Sequence, residues 1–120
     1  MSVSLQTGSG TVKTSLSIRK DDLYETPPVA VQALLACEVV PSIVWEPACG
    51  PGVIVKELRK TGRKVFASDL VDYGCEDSTS RRDFLMESSS PAPCIITNPP
   101  FKLAEEFCAH ATSLAPEVFM

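Results

Sequence analysis

Three short runs limit what this chain can become: "SIVWEP" (42–47), "KVFASDL" (64–70) and "CIIT" (94–97). They are mostly apolar rather than alternating, and β-branched or aromatic residues fill them, which favours strands. A strand with one wet face would alternate apolar and polar residues; these need cover on both faces, as in a parallel sheet between helices. Helical patterns lie between and around them. The order helix, strand, Gly-loop, helix, strand, loop, strand, helix implies βαβ units with right-handed crossovers and an α/β fold.

The helices follow from spacing and punctuation. In "YETPPVAVQALLACEVV", Thr26 is the expected N-cap, with Pro27 at the first helical position, where its missing N–H costs nothing. Val29, Ala33 and Leu34 give the apolar spacing, Gln32 the polar side, and Pro41 the end of the segment. A second helix is predicted over Val53–Lys60, with Ile54 and Leu58 inward, Lys56, Glu57 and Arg59 outward, and Gly62 as its C-terminal cap. A third spans 102–114, with Leu103, Phe107, Ala111 and Leu114 on one side. Residues 71–82 read as a loop with at most a short strand near "RRDFL", and "SSSPAP" (88–93) as a turn-rich connector.

A chain of 120 residues makes one domain. Residues 1–20, rich in Ser, Thr and Gly, read as a flexible tail without a signal-peptide core, and 21–120 as the folded unit. No apolar run is long enough to span a bilayer. Five cysteines without CxxC spacing suggest neither a disulfide framework nor zinc, and a reducing cytoplasm fits them. The single histidine, His110, falls in a helical pattern and has no ligand-spaced companion, so no metal is expected. A net charge of −4 argues against a broad phosphate-binding surface. The basic stretches "RKTGRK" (59–64) and "RR" (81–82) read as solvated surface charge.

In open α/β sheets ligands lie beyond the carboxyl ends of the strands, and each unusual motif here starts where a strand stops. After the first, Glu46-Pro47-Ala48-Cys49-Gly50-Pro51-Gly52 carries two glycines that let the backbone turn tightly near a ligand. A dinucleotide fingerprint needs a third glycine where Val55 stands, and Pro51 removes a donor, so a pyrophosphate cradle is disfavoured. After the second strand, Asp69 is placed to hydrogen-bond ribose hydroxyls. After the third, Asn98-Pro99-Pro100-Phe101 locks the backbone, so that the Asn98 side-chain oxygen and the Pro99 carbonyl can act as fixed acceptors for an amino group. Phe101 offers a flat ring for stacking.

"EPACGPG", "SDL", "RDFL" and "NPPF", in this order and spacing, resemble the signature of class I S-adenosylmethionine-dependent methyltransferases that modify amino nitrogens. The likeness is closest to small phage-type DNA adenine N6-methyltransferases, which also open with a "Y-x-TPP" stretch like Tyr24 to Pro28. It spans roughly residues 22–114. The resemblance implies a Rossmann-like sheet of strand order 3-2-1-4 and S-adenosylmethionine as cofactor. Glu46 and the backbone of Ala48, Cys49, Gly50 and Gly52 would hold its methionine end, with Tyr24 and Thr26 closing over it. Asp69 would hold the ribose, Leu70 would pack on the adenine, Asp83 would accept from the adenine amino group, and the Phe84 backbone would lie nearby. Asn98 and Pro99 would hold the target amino group and Phe101 would stack on the target base. DNA adenine is the implied substrate; the related possibilities are RNA, a protein glutamine, or a cofactor-binding remnant or interaction module without turnover.

The family sheet continues past the "NPPF" helix with three more strands, whereas only "PEVFM" (116–120) follows here, the beginning of a fifth strand at best. About four strands are therefore expected, in a module truncated at its C-terminal side. "CIIT" would be left as an open apolar edge for self-association or a completing partner.

Overall fold

The computed structural model describes residues 25–120; the expected tail and Tyr24 lie outside them. Its elements run α1 (Pro28–Cys37), β1 (Ile43–Glu46), α2 (Val53–Lys60), β2 (Lys64–Ser68), β3 (Ser78–Thr79), β4 (Cys94–Ile96), α3 (Ala104–Leu114) and β5 (Glu117–Phe119), with 3-10 turns at Phe84–Met86 and Phe101–Leu103. All five strands are parallel, in the order β3-β2-β1-β4-β5. This is the expected Rossmann-like α/β sheet with one strand more than predicted.

Both faces of the sheet are covered, which explains the missing alternation. Val44, Val65, Cys94 and Ile96 join Val31, Ile54, Val55 and Leu58 beneath α1 and α2. Trp45 and Ile95, their neighbours along the strands, point the other way and pack with Phe84, Leu103, Phe107 and Ala111 under α3. Phe84 anchors that second core: its ring centroid is 5.2 Å from Trp45, 4.9 Å from Phe107 and 5.0 Å from His110. His110 also meets the Glu87 carbonyl through Nε2 at 2.8 Å, so this histidine braces α3 against the β3–β4 connection.

Several local expectations are corrected. Thr26 does not cap α1: Pro27 is the N-cap residue, with φ −64° and ψ 141°, and Pro28 is the first helical residue. Pro28 forces the residue before it out of helical geometry, so the helix cannot start at Pro27. The buried stripe of α1 is Val31 with the half-buried Leu34 and Leu35; Val29 is 67% exposed and Ala33 is exposed. The helix stops at Cys37, where Glu38 turns extended, well before Pro41. Glu57 is buried, not outward-facing, because Gln32 Nε2 and Lys60 Nζ reach it at 3.2 and 2.9 Å. Those contacts, Lys60 foremost, hold its carboxyl below the usual carboxylate range.

Arg59 is not turned wholly to solvent either. It is half-buried and donates to the carbonyls of Glu76 and Val65 at 2.8 and 2.9 Å. Arg63 likewise donates to the carbonyls of Pro41 and Val40, both at 3.1 Å. The third strand lies at Ser78–Thr79 instead of near "RRDFL", which forms the 3-10 turn. Finally, β5 pairs with β4 over Cys94↔Glu117, Ile95↔Val118 and Ile96↔Phe119. β4 is thus an interior strand, and the edge expected at "CIIT" belongs to β5. Among the described residues no helix is long and apolar enough to cross a membrane.

Candidate functional site

The tips of β2, β1 and β4 lie side by side because these strands are neighbours in the sheet. At the β1 tip, the Glu46 side chain is 1% exposed and its Oε2 accepts from the Ala48 N–H at 2.8 Å, which curls the chain into the Gly-loop. The Cys49 N–H donates to the Ser68 carbonyl at 3.0 Å and the Gly52 N–H to the Cys49 carbonyl at 2.9 Å. Gly50 and Gly52 take φ values of +55° and +105°, and Gly52 is the N-cap residue of α2.

Gly52 serves the chain itself. A Cβ there would stand 2.8 Å from Cys75 Sγ, so the glycine makes room for the β2–β3 loop, where sequence reasoning reserved it for a ligand. Gly52→Ala is expected to cost about 2 kcal/mol in urea denaturation, from the left-handed backbone and the clash together. Part of that cost disappears in a Cys75→Ala background, and the remainder belongs to the backbone. Cys75 had no signal in the sequence. Its thiol meets that of Cys49, and burial, reinforced by Cys75, Glu46 and Asp69, pushes the Cys49 thiol far above its ordinary range. Burial raises Cys75 as well, so both remain thiols at neutral pH and neither is an activated nucleophile.

Asp69 joins the second tip to the first. Only 3% exposed, it accepts from the Gly50 N–H through Oδ2 at 2.8 Å and from the Leu70 N–H through Oδ1 at 2.7 Å, with the Val71 N–H farther away at 3.4 Å. Its own backbone donates to the Thr79 carbonyl at 3.0 Å and accepts from the Arg82 N–H at 3.1 Å, which carries the connection on to Asp83. Asp83 caps the 3-10 turn, Oδ1 accepting from the Leu85 N–H at 3.1 Å. Oδ2 of Asp83 has no hydrogen bond among the described residues.

Thr26, Glu46, Ala48, Cys49, Gly50 and Asn98 line one small cavity of ≈ 20 Å³. That is space for about one water or a small cationic head group. Beside it, between α1 and the β4–β5 tips, opens a larger and mainly apolar cavity of ≈ 560 Å³. Thr26, Ile54 and Asn98 belong to both walls. The structure therefore gathers residues 46–50, Asp69 and Asn98 within one locality. Leu70 and Pro99 are half-buried outside these walls, and the Phe84 ring is committed to the core. Phe101, at 82% exposure, stands free at the surface.

One residue beside Asn98 was not singled out from the sequence. Thr97 is 2% exposed, and its Oγ1 is buried without a hydrogen-bond partner among the described residues. Burying an unsatisfied hydroxyl is unfavourable, so the isosteric Thr97→Val should raise stability by about 1 kcal/mol, read from the urea midpoint at unchanged m. Among the described residues, no group of three or more His, Cys, Asp or Glu side chains is arranged to hold a metal ion. No family model matches the chain, and no curated protein sequence matches it.

Proposed function

We propose that this chain is an S-adenosylmethionine-dependent methyltransferase of class I type, acting on an amino nitrogen, with adenine N6 of DNA as the target. The observation that carries this reading is the meeting of Glu46, the Gly-loop and Asn98 on one cavity wall, with Asp69 fastened to Gly50. The residues fit the cofactor's chemistry. The buried Glu46 carboxylate beside a water-sized space suits an ammonium group such as the methionine end carries, with Thr26 on the same wall. The Gly-loop presents backbone at close range, and Asp83 retains an oxygen for an adenine amino group. Leu70 and the backbone of Phe84 would complete the adenine side. Asp69 acts first by holding the loop through Gly50 and Leu70, and the ribose contact is what the family resemblance implies for it.

The bound cofactor supplies an electrophilic methyl group on a sulfonium. The chain's own residues prepare the nucleophile. An exocyclic amine conjugated with a ring has a delocalised lone pair and attacks poorly. The Asn98 side-chain oxygen and the Pro99 carbonyl, accepting from the amino group, would favour the pyramidal attacking form and so act mainly in the transition state. Fixed alignment supplies much of the remaining rate. The ≈ 560 Å³ apolar cavity that shares Asn98 with the small one has the size and lining for a flat base; the exposed Phe101 ring lies outside its walls and would stack on a base held at the surface instead. A duplex substrate requires the base to be flipped out.

Isothermal titration with S-adenosylmethionine tests the cofactor, and transfer of labelled methyl to DNA, RNA and protein tests the substrate. Saturable binding with transfer to DNA supports the reading. Binding without transfer to any of the three identifies a cofactor-binding module. Absence of binding removes the methyltransferase reading altogether.

A further inference from the structure

The two basic stretches, "RKTGRK" and "RR", are separate in the sequence but meet in the fold. Arg59, Lys64 and Arg82 line a cavity of ≈ 420 Å³ on the sheet face that carries Trp45 and Phe66. α3 covers the β4 side of this face. Among the described residues no helix covers β2, because the connection between β3 and β4 holds only the 3-10 turn Phe84–Met86. Phe66 is left half-buried, and the "SSSPAP" loop rims the space with Ser89 and Ser90.

The charge inside is unbalanced. Arg82 is matched by Glu87 through two 2.8 Å contacts, a bidentate pair. Arg59 is held by the Glu76 and Val65 carbonyls, which fix the guanidinium without neutralising it. The Lys64 ammonium stands 5.1 Å from the Phe66 ring centroid. Among the described residues neither Arg59 nor Lys64 is paired with a carboxylate, and the remaining acid on the wall is the exposed Asp77. In a chain of net charge −4, a wall that sets Arg59, Lys64 and Arg82 against only Asp77 and Glu87 among the described residues is a local reversal of sign. A hydroxyl adds a donor: Ser68 Oγ accepts from Trp45 Nε1 at 3.0 Å and keeps its own proton to give, whereas Ser90 donates to the Ala92 carbonyl at 2.6 Å.

We propose that this cavity is a second ligand site, distinct from the strand-tip site, and that it takes a small planar aromatic anion. The ring would lie against Phe66, and its acidic group would meet Lys64, Arg59 and the Ser68 hydroxyl. The volume is within the range of small-molecule pockets. The site stands independently of the methyltransferase reading, since none of its residues belongs to that site.

The chain has a single tryptophan, so its indole N–H gives one identifiable resonance, located at the floor of this cavity. The test follows that resonance by proton–nitrogen correlation spectroscopy while the chain is titrated with 2-naphthoate, 2-naphthyl phosphate and the uncharged 2-naphthamide. A saturable shift with at least one anion and none with the amide is expected, and the tighter of the two anions identifies the preferred acidic group. Lys64→Gln, an exposed substitution, should weaken that binding about three- to fivefold, whereas the exposed α2 residue changed in Lys56→Gln should not. Three results would each overturn the site: no saturable shift with either anion, an equal response to the amide, or an undiminished response in Lys64→Gln. Displacement of the anion by excess S-adenosylmethionine would also overturn it, by moving the anion to the strand tips.

Discussion

Asp69→Ala is expected to lower folding stability by about 3 kcal/mol, because it takes the acceptor from one buried and one half-buried backbone donor. The Gly50 and Leu70 N–H groups lie 2.8 and 2.7 Å from the two carboxylate oxygens, and the aspartate itself is 3% exposed. Gly50 is buried and Leu70 half-buried, so the Gly50 N–H carries the larger share of the cost. The Val71 contact, at 3.4 Å, is too long to count as a third. Against a typical total of roughly 5–15 kcal/mol, this loss is large enough to read from urea denaturation as a shifted midpoint. Asp69→Asn retains one acceptor oxygen but sets its amide N–H₂ against the other donor, so it should recover only part of the loss. Amide exchange at Gly50 gives a local measure: it should accelerate in Asp69→Ala even where the global fold persists. An unchanged midpoint together with unchanged Gly50 exchange would show that the carboxylate does not hold the loop. Calorimetry adds the functional half: on the proposed function, a loosened Gly-loop should weaken S-adenosylmethionine binding relative to the unsubstituted chain.

Asp69 also illustrates how far the sequence could be read. Its position at a strand end, some twenty residues past the Gly-loop, marks it as a candidate site residue. Its engagement with Gly50 was not legible, because that contact depends on how two loops fold over adjacent strand tips. Strand identity was legible for a related reason: runs such as Cys94–Ile96 are buried on both faces, and burial on both faces leaves a compositional mark. Helix α2 was predicted at its observed bounds, since Gly52 and Gly62 bracket a strongly amphipathic segment.

Where one local rule competed with another, the reading went astray. Thr26 fits an N-cap by type, but the constraint that Pro28 places on Pro27 decides where α1 begins. Glu57 is charged and therefore looked outward, yet a lysine one turn away and Gln32 from a different helix make its burial tolerable. β5 was underestimated because three residues give little periodicity; its stability comes from pairing with β4, not from its own sequence. Cys75 and Thr97 carried no local signal of any kind. Each matters through a neighbour distant in sequence or through the lack of a partner, and neither property is written in composition.

Asn98→Ala separates binding from chemistry at the strand-tip site. Asn98 is half-buried on the wall shared by the small polar cavity and the large apolar one, so it faces the junction between the two proposed ligands. Removing its carboxamide takes away the acceptor proposed for the target amino group, with Glu46, the Gly-loop and Asp69 unsubstituted. S-adenosylmethionine affinity should therefore change little. Methyl transfer should fall by about 10²–10³-fold, the loss typical of removing one preorganised transition-state contact. Single-turnover rates with saturating cofactor would isolate the step, and a thermal melt of the variant controls for folding. The paired result matters most: Asp69→Ala weakening cofactor binding, and Asn98→Ala sparing it while transfer collapses. If instead Asn98→Ala abolished cofactor binding and Asp69→Ala left it intact, the acceptor role would be misassigned and the cavity wall would need another explanation. The reason for expecting the first pattern is physical. A contact that grows as the amine loses planarity contributes little before substrate reacts, so its removal should register in the rate and hardly at all in the binding isotherm.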